Sequence, residues 1–386
     1  MTKTRLGRQR GVALIVVMMV VALVVIIAAS MGGRLQMQLQ RQLNIQDRQR
    51  MLYLALGAEE FGRRLLAKSL KDQERTHLGQ AWAQEGASFP LEGATLTGQI
   101  TDLQACFNLN SLRPAKKLGP GDNSGDNASG DGDQERSANG QNQNGEAVQA
   151  SGEGESKDGA SSNQAANKPP EGQNTGPGGK QTPAQKALQR VLERNATELS
   201  IPADYLVARL TDWLDSDNDL QQSGGAEEND YAALQHPFYT ANSLMVNKSE
   251  LRTILDLTAA DYQLVAPLVC VVPQDAVLKI NVNTLKEEQA PLLAGLIPGI
   301  DEEAAKKAIT ARPSDGYESV EAFLGELGSN AGADDGVKAL FDVKSSYFQA
   351  EFTLETEDSS FVLTTIYKLD QKANPVVVSR RFGGPG

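Results

Sequence analysis

Residues 12–31, VALIVVMMVVALVVIIAASM, form an uncharged apolar run near the start of the chain. A helix with a rise of about 1.5 Å per residue spans about 30 Å over this run, the thickness of a bilayer core. The preceding residues 1–11 carry cations and no acid, which keeps them in the cytoplasm by the positive-inside rule. The run is too long for an ordinary signal-peptide apolar region. The sequence therefore predicts one membrane-spanning helix, with the rest of the chain on the far side.

The segment after this run predicts that the helix continues out of the membrane. No proline occurs between Arg34 and Ala87, and apolar residues recur at spacings of three and four. They are Leu35, Leu39, Leu43, Leu52, Leu54, Leu56, Phe61, Leu65 and Leu66. Two interpretations fit these residues: a signal anchor with a helical stalk, or a pilin, whose basic leader ends in glycine and is cut before the apolar run. Gly11 followed by Val12 fits the pilin.

Several segments together resemble the minor pseudopilin K family of bacterial type II secretion systems. They are RQRGVALIVV, LQLQRQLNIQDRQRMLYLALGAEEF, LEGATLTGQITDLQACFNLNSL, DWLDSDNDLQQSGGAEENDY and LKINVNT. The resemblance implies an α+β fold: a type IV pilin-like long N-terminal helix on an antiparallel sheet, with a large inserted all-α domain of helix-hairpin-helix or SAM-like type. It also implies a subunit that caps the tip of the periplasmic pseudopilus with the companion minor pseudopilins I and J, and helps initiate its assembly for protein export.

The resemblance has further implications for the N-terminus. A prepilin peptidase would cut after Gly11 and methylate Val12, and the protein would lie in the inner membrane as a single-pass protein with its C-terminal bulk in the periplasm. Most pilins carry a glutamate at the fifth mature position, which neutralises the N-terminal amine of a neighbour. Val16 stands there in this chain. A subunit without the glutamate cannot make that pairing, which suits a tip, but ordinary membrane apolarity explains Val16 equally well.

Composition divides the remainder of the chain. Residues 119–187 contain Val148 as their one large apolar side chain, so they cannot bury enough surface to offset chain entropy, and we predict a disordered polar insertion. The predicted organisation is a leader at 1–11, a membrane half-helix at 12–31, a first pilin-body part at 32–118, the insertion at 119–187, a helical domain at 188–345 and C-terminal strands at 346–386.

Alternation of apolar residues predicts where the strands lie. Residues 92–110 predict strands, and the segment after position 345 predicts three more, with an antiparallel sheet indicated by Phe352, Leu354, Phe361, Leu363 and Ile366. Between them the chain is mostly helical. The helical stretches are AQKALQRVLERNATEL, PADYLVARLTDWLDS, SELRTILDL, TAADYQLVAPLVCVV and DEEAAKKAITA.

An acidic loop is the strongest candidate for chemistry. Asp215, Asp217 and Asp219 match the first, third and fifth positions of an EF-hand loop, but Leu220 replaces the glycine at the sixth and the twelfth is not acidic, so this is no EF-hand. From the residues alone, a looser calcium loop and a solvated acidic loop remain equally open.

The resemblance implies calcium sites in the helical domain, with one or two ions. The expected ligands are Asp215, Asp217, Asp219, Glu227 and Asp230. Asp212 is the more doubtful candidate, because it lies one turn earlier beside Trp213 and could cap or pair locally.

Residues 278–324 resemble a helix-hairpin-helix repeat, in which hairpin glycines let backbone N–H groups approach a phosphate. Here Pro298 and Gly299 are followed by Asp301 in place of the second glycine, and its charge would repel phosphate. We therefore expect the module to serve packing, with no nucleic acid as a partner.

The remaining features argue against the common classes of enzyme. His77 and His236 lack metal-ligand neighbours in sequence, no phosphate loop or nucleophile elbow occurs, and the net charge of −12 disfavours broad nucleic-acid binding. Cys106 and Cys270 could form a disulfide in an oxidising compartment or remain two buried thiols. We predict a structural protein rather than an enzyme. The alternatives are a minor pilin of a type IV pilus and a signal-anchored periplasmic DNA receptor.

Overall fold

The computed structural model of the chain describes residues 12–84, 87–91, 93–114, 181–221, 223–328, 335–357 and 359–383. Gly11, and residues 119–180 of the predicted polar insertion, lie outside these ranges.

The N-terminal part is one long helix, as predicted. Helix α1 runs from Val12 to Leu70 over 59 residues, and it is long and apolar enough to cross a membrane. Its first part is exposed, and Val16 is 53% exposed. The helix ends at Leu70, and Asp72 follows in a left-handed conformation with φ 59°, which a continuing helix does not allow.

The main sheet has five antiparallel strands in the order β1-β2-β7-β8-β9. The strands of the chain are β1 (Ala87–Leu91), β2 (Ala94–Asp102), β3 (Phe107–Asn108), β4 (Val269–Cys270), β5 (Ile280–Asn281), β6 (Phe341–Asp342), β7 (Tyr347–Glu355), β8 (Ser360–Leu369) and β9 (Pro375–Phe382). The three C-terminal strands were predicted. Strand β1 was not predicted; it lies at the sheet edge, where its Pro90 is tolerated.

One face of this sheet is buried, as the alternation predicted. Phe352, Leu354 and Leu363 are at most 4% exposed. Ile366 was predicted on this face but lies on the opposite one, against a separate small cluster, because it is three residues from Leu363, whereas Tyr367, four residues from Leu363, is fully buried.

Helix α1 packs on the buried face through the half that follows Met51. Ala55 and Leu66 are fully buried, and Gly62 allows the Phe352 ring to approach so closely that an added Cβ would lie 2.7 Å from it. Of the predicted apolar positions, Leu66 is therefore in the core, whereas Leu35, Leu39, Leu43 and Phe61 are exposed.

An ion pair fixes this helix to the far strand of the sheet. Glu59 of α1 accepts two hydrogen bonds from Arg380 of β9, at 2.7 and 2.8 Å, and one from the Thr365 hydroxyl at 2.8 Å. The Tyr367 hydroxyl donates to the Glu59 carbonyl at 2.7 Å. Because the Glu59 side chain is 8% exposed, this pairing holds α1 in one rotational setting on the sheet.

A helical domain is inserted between β2 and β7, which are neighbours in the sheet. Its helices are α2 (Pro183–Asn195), α3 (Ala203–Leu214), α4 (Glu228–Ala232), α5 (Ala259–Val265), α6 (Ala290–Leu296), α7 (Glu302–Thr310), α8 (Val320–Glu326) and α9 (Asp335–Lys338). Short 3₁₀ turns cover Lys248–Thr253 and Glu287–Gln289. Leu188, Leu210 and Phe323 are fully buried in one continuous core.

The start of this domain differs from the prediction. Strand β2 ends at Asp102, and the residues after it leave the sheet. Phe107 pairs in parallel with Val269, and Leu109 and Leu112 lie in a 3₁₀ turn whose side chains are buried in the helical core. The apolar alternation was correct, but it belongs to a crossing from the sheet into the inserted domain.

The cysteines lie at this crossing. Cys106 precedes β3 in a bend rather than in a sheet strand, and Cys270 lies in β4 rather than at the end of a helix, because α5 ends earlier at Val265. The two are joined by a disulfide. Of the two alternatives that the sequence left open, the structure has the bonded one.

The C-terminal limit predicted for the polar insertion is wrong by five residues. Helix α2 begins at Pro183, and Ala184 and Ala187 are buried. Thr182 caps the helix: its hydroxyl accepts a hydrogen bond from the Gln185 N–H at 3.2 Å, and its own N–H donates to the Gln185 side chain at 2.8 Å. A capping box with proline at the first helical position is a strong start signal that composition alone conceals.

A buried polar network joins the inserted domain to the pilin-like body, at the point where the chain returns to the sheet. Asp102, at the end of β2, accepts hydrogen bonds from the hydroxyls of Thr284, at 2.6 Å, and Ser345. Asn281 donates to the Ser345 hydroxyl at 2.7 Å and to the Thr76 carbonyl at 3.0 Å. Burial raises the pKa of Asp102, and these donors counteract the rise. Asn281 and Thr284 of the LKINVNT segment thus serve as donors in this network.

Candidate functional site

The acidic loop begins at the end of α3, where Asp212 organises it. Asp212 is fully buried, its Oδ1 accepts a hydrogen bond from the Gln221 N–H at 3.1 Å, and its Oδ2 accepts one from the Ala226 N–H at 3.0 Å. These two bonds bring both ends of the loop back to α3.

Three carboxylates meet inside this loop. Asp212, Asp215 and Glu227 each place a carboxylate oxygen within 4.8 Å of the others. Asp215 caps the C-terminus of α3 and Glu227 precedes α4, so two helix ends aim the acids at one point. Asp215 is 4% and Glu227 3% exposed.

The carboxylates of Asp215 and Glu227 are buried without partners. None of their four oxygens accepts a hydrogen bond of good geometry within the part of the chain that the structure describes, although the backbone N–H groups of Glu228 and Asp230 lie close to the Glu227 side chain. The Gln221 side chain and the Asp217 N–H lower the pKa of Asp215 in part, but neither reaches hydrogen-bond geometry with it. Such groups are costly to bury, because each buried charge lacks both water and a counter-charge.

The pKa values reflect this cost. Burial raises the pKa of Asp212 to about 7, with a further rise from the charge of Asp215. Burial and the charge of Asp217 raise the pKa of Asp215 to about 6. Burial together with Asp212, Asp215 and Asp217 raises the pKa of Glu227 to about 8. A divalent cation among the three would reverse each effect, and an all-oxygen donor set suits a hard ion such as Ca²⁺.

The predicted ligands are distributed unevenly around this point. The structure brings Asp215 and Glu227 together, and Asp217 is close enough to raise the pKa of both. Asp219 is exposed, outside the three-carboxylate group. Asp230 is exposed too, and its Oδ2 accepts the Glu227 N–H at 2.9 Å, so it orients a ligand candidate rather than joining the group.

Asp212, doubted from the sequence, is the central acid. The sequence did contain a signal for Asp212. An acid near the C-terminal end of a helix interacts unfavourably with the helix dipole, so a carboxylate there indicates a role other than helix stability. Its position between Leu210 and Trp213 indicated burial as well.

Neighbouring contacts hold the loop in shape. Gly224 has φ +88°, and an added Cβ would lie 2.4 Å from the Tyr205 ring. Arg209 donates to the Gly224 carbonyl at 3.2 Å and to the Leu255 carbonyl at 2.6 Å. On the outer side, the Asn242 side chain donates to the Asp217 carbonyl at 3.3 Å. The loop is thus anchored from three directions.

The helix-hairpin-helix region is built into the core. Gly295 of α6 packs on α2, where an added Cβ would lie 2.7 Å from the Val191 backbone. After the hairpin, Gly299 has φ +81° and the Asp301 side chain accepts the Ala304 N–H at 2.8 Å. The N-terminus of α7 therefore already has a carboxylate where a phosphate would bind, which supports the packing interpretation.

A helix of membrane-spanning length on an antiparallel sheet, with a helical domain and a buried acidic cluster inserted between adjacent strands, defines a pilin-like protein. The likeness extends to solved structures: a chain of the crystal structure of the GspK-GspI-GspJ complex from the enterotoxigenic Escherichia coli Type 2 Secretion System aligns with a TM-score of 0.64. The alignment covers 89% of this chain and 100% of that chain at 24% identity.

Sequence comparison assigns the family. Two profiles described as "Type II secretion system (T2SS), protein K" match residues 105–274 and 280–344. The type II secretion system protein K of Aeromonas hydrophila is 34% identical over 98% of both chains, and that of Dickeya chrysanthemi 32% identical over 98% of both. The chain belongs to the type II secretion system protein K family, the minor pseudopilin K family, as the sequence resemblance indicated.

Proposed function

We propose that this protein caps the tip of the pseudopilus in a type II secretion system, together with companion minor pseudopilins I and J, and helps to initiate its assembly. The observation that supports this role is the place of the inserted domain. The described residues between β2 and β7 form a domain at one end of the sheet, and 45 buried apolar side chains among them make its core. A head of this bulk obstructs further subunits above it.

The similar crystal structure supports the choice of partners, because its title describes a complex of GspK with GspI and GspJ. For the remaining steps we retain the expectations of the sequence. A prepilin peptidase cuts after Gly11 and methylates Val12, and α1 holds the protein in the inner membrane until assembly. Val16 in place of the usual pilin glutamate removes one pairing that a shaft subunit needs.

Counting this chain per pseudopilus tests the role. Pseudopili of different lengths are isolated, and the ratio of this chain to the major subunit is measured by quantitative mass spectrometry. If this chain is a cap, the number of copies per fibre stays constant as the fibre grows, so its ratio to the major subunit falls with fibre length. A ratio proportional to fibre length would contradict the proposal, since it describes a shaft subunit. Deletion should reduce the number of pseudopili more than their length if the protein initiates assembly.

We also propose that the three-carboxylate cluster binds calcium. Asp212, Asp215 and Glu227 would hold the ion, with Asp217 next to them, and the bound ion would supply the positive charge that the unpartnered oxygens of Asp215 and Glu227 lack. Asp212 would keep its two backbone hydrogen bonds and so keep the loop closed around the cluster. No chemical step follows from this site, and its role is structural.

Calorimetric titration of the full chain in detergent, after removal of divalent ions, tests the calcium proposal. The wild type should bind Ca²⁺, and Asp215→Asn should not. Asp219→Asn is the matched control, because it removes a carboxylate from the same loop but outside the cluster, and it should bind as the wild type does. Equal binding by both variants would contradict the assignment.

The two alternatives have their own readouts. A type IV pilus minor pilin would co-purify with pilus subunits rather than with the pseudopilus. A DNA receptor would shift duplex DNA in a salt-dependent manner. We expect neither result, because the family match is to a secretion component and Asp301 occupies the N-terminus of α7.

A further inference from the structure

A row of three arginines lies on the part of α1 between the apolar run and the sheet. Arg34, Arg41 and Arg48 are spaced by seven residues, here called the arginine row. At 3.6 residues per turn, they lie within about 40° of one another around the helix and about 10 Å apart along it. This part of α1 is exposed throughout.

The arginine row has no partner in its own chain. None of its members takes part in an ion pair or hydrogen bond within the residues that the structure describes. Asp47 is the one acid between Val12 and Arg50, and it points about 100° away from Arg48 around the helix. The row is thus an uncompensated positive stripe on a chain whose net charge is −12.

The arginine row lies on the side of α1 that packs on the sheet further along the helix. Arg41 and Arg48 each lie eighteen residues before Glu59 and Leu66, which is about five full turns. Glu59 and Leu66 are both buried against the sheet. The arginines therefore point into the space beneath the sheet, alongside the free part of α1.

The membrane surface does not account for the whole row. Arg41 and Arg48 stand about 15 Å and about 26 Å beyond Met31 on a helix along the bilayer normal. The headgroup layer on each side of a bilayer is only about 5–8 Å thick. Lipid phosphates can therefore pair with Arg34 but leave the other two arginines without a partner.

Helix pairing between two copies does not account for it either. The corresponding part of a second copy offers Asp47 as its one acid, against three arginines. Two such helices side by side would bring like charges together, which is unfavourable when packing excludes water.

We propose that the arginine row binds a row of carboxylates on the N-terminal helix of a different pilin-like subunit, packed alongside α1 beneath the sheet. The inference rests on the proposed function, since it concerns how this subunit joins its companions. The partner helix needs acids at spacings near seven residues to meet a straight row. The pairing fixes the axial register of the two helices as well as their contact.

Photo-crosslinking in membranes tests the row. A photo-crosslinking amino acid replaces Gln38, between Arg34 and Arg41, in the full chain co-expressed with companions I and J. The row variant is Arg34→Gln/Arg41→Gln/Arg48→Gln. The control, Gln36→Glu/Gln40→Glu/Gln46→Glu, changes the net charge by the same amount at positions about 100–140° away from the midpoint of the row around α1. We expect about a fivefold or larger loss of cross-linked companion in the row variant and none in the control.

A third variant with lysine at the three arginine positions should recover most of the yield, because its charge is kept. Persistence of the Cys106–Cys270 disulfide under non-reducing conditions verifies that each head has folded. If the companions still co-purify, the inference is overturned by cross-links to lipid or to a second copy alone, or by an equal yield of cross-linked companion from the row variant and the wild type. If the wild type co-purifies with neither companion, the proposed function fails as well.

Discussion

Replacing Asp215 by asparagine should stabilise the calcium-free protein, and most or all of that advantage over the wild type should be lost when calcium is present. In the calcium-free protein, Asp215 is a buried carboxylate without a hydrogen-bond partner, and its pKa is raised from 3.8 to about 6. Because the folded protein disfavours the charged form, stability falls as pH rises from about 4 towards 6, and the full penalty is present above that.

The size of the effect follows from the pKa shift. Each pKa unit corresponds to about 1.4 kcal/mol, so a shift of about two units gives an upper value near 3 kcal/mol. Relaxation and water penetration reduce this, and we expect Asp215→Asn to stabilise the calcium-free protein by about 1–3 kcal/mol at pH 8. At about 2–4 °C per kcal/mol, Tm should rise by several degrees. With Ca²⁺ at about 100 times Kd, the wild type should gain about 2.7 kcal/mol that the variant lacks.

The assay is thermal unfolding of the full chain in detergent at pH 5 and pH 8, with a chelator or with Ca²⁺, at one scan rate. Asp219→Asn is the control, because Asp219 is exposed and should shift stability by less than about 0.5 kcal/mol under all four conditions. The stabilisation by Asp215→Asn should shrink at pH 5, where the wild-type carboxyl is already protonated. The reasoning is refuted if Asp215→Asn lowers Tm equally in chelator and in Ca²⁺ at pH 8.

Three further predictions concern the scaffold. Replacing Cys106 and Cys270 together by serine should cost up to about 5 kcal/mol by the chain-entropy estimate for so long a loop, and a urea midpoint equal to the wild type's would contradict this. Glu59→Gln removes the buried carboxylate of an ion pair with a half-exposed arginine of β9 and should cost about 1–3 kcal/mol in chemical unfolding, whereas Glu60→Gln, whose carboxylate is exposed, should cost much less. Gly224→Ala places a Cβ against an aromatic ring at positive φ, so calorimetry should show weakened Ca²⁺ binding, and unchanged affinity would mean that this turn does not shape the site.

The sequence predicted those parts of the fold whose signals are local. Helix α1 followed from an uninterrupted run without proline, and β7 to β9 followed from alternation around Phe352 and Leu363. The crossing at Phe107 could not be found in this way, because an apolar strand pattern looks the same whether its partner is the sheet or β4. Its destination is decided by contacts with residues more than 150 positions later.

The sequence likewise predicted some residues of the candidate site but not others. Asp215 and Glu227 were predicted from carboxylate density and family resemblance, and the structure brings them together. Density alone could not separate them from the exposed Asp219 and Asp230, because burial is decided by where α3 ends and α4 begins. Asp212 was doubted because an acid at that place in a helix could cap the helix or pair locally. Its actual role depends on the Gln221 and Ala226 N–H groups, which only the folded loop brings to it.

The pairing of β2 with β7 determines the order in which this chain can fold. Thr95 lies opposite Glu355, so this ladder closes a loop of more than 250 residues, whereas the β7-β8 and β8-β9 hairpins are local. Loop-closure entropy makes such a ladder slow to form from an extended chain. Folding of the inserted domain, with its disulfide beside Asp102, first brings the two strands close together. We therefore expect the sheet of the pilin-like body to be completed after its insertion has folded, with the inner edge of β2 open to pairing with other strands until then.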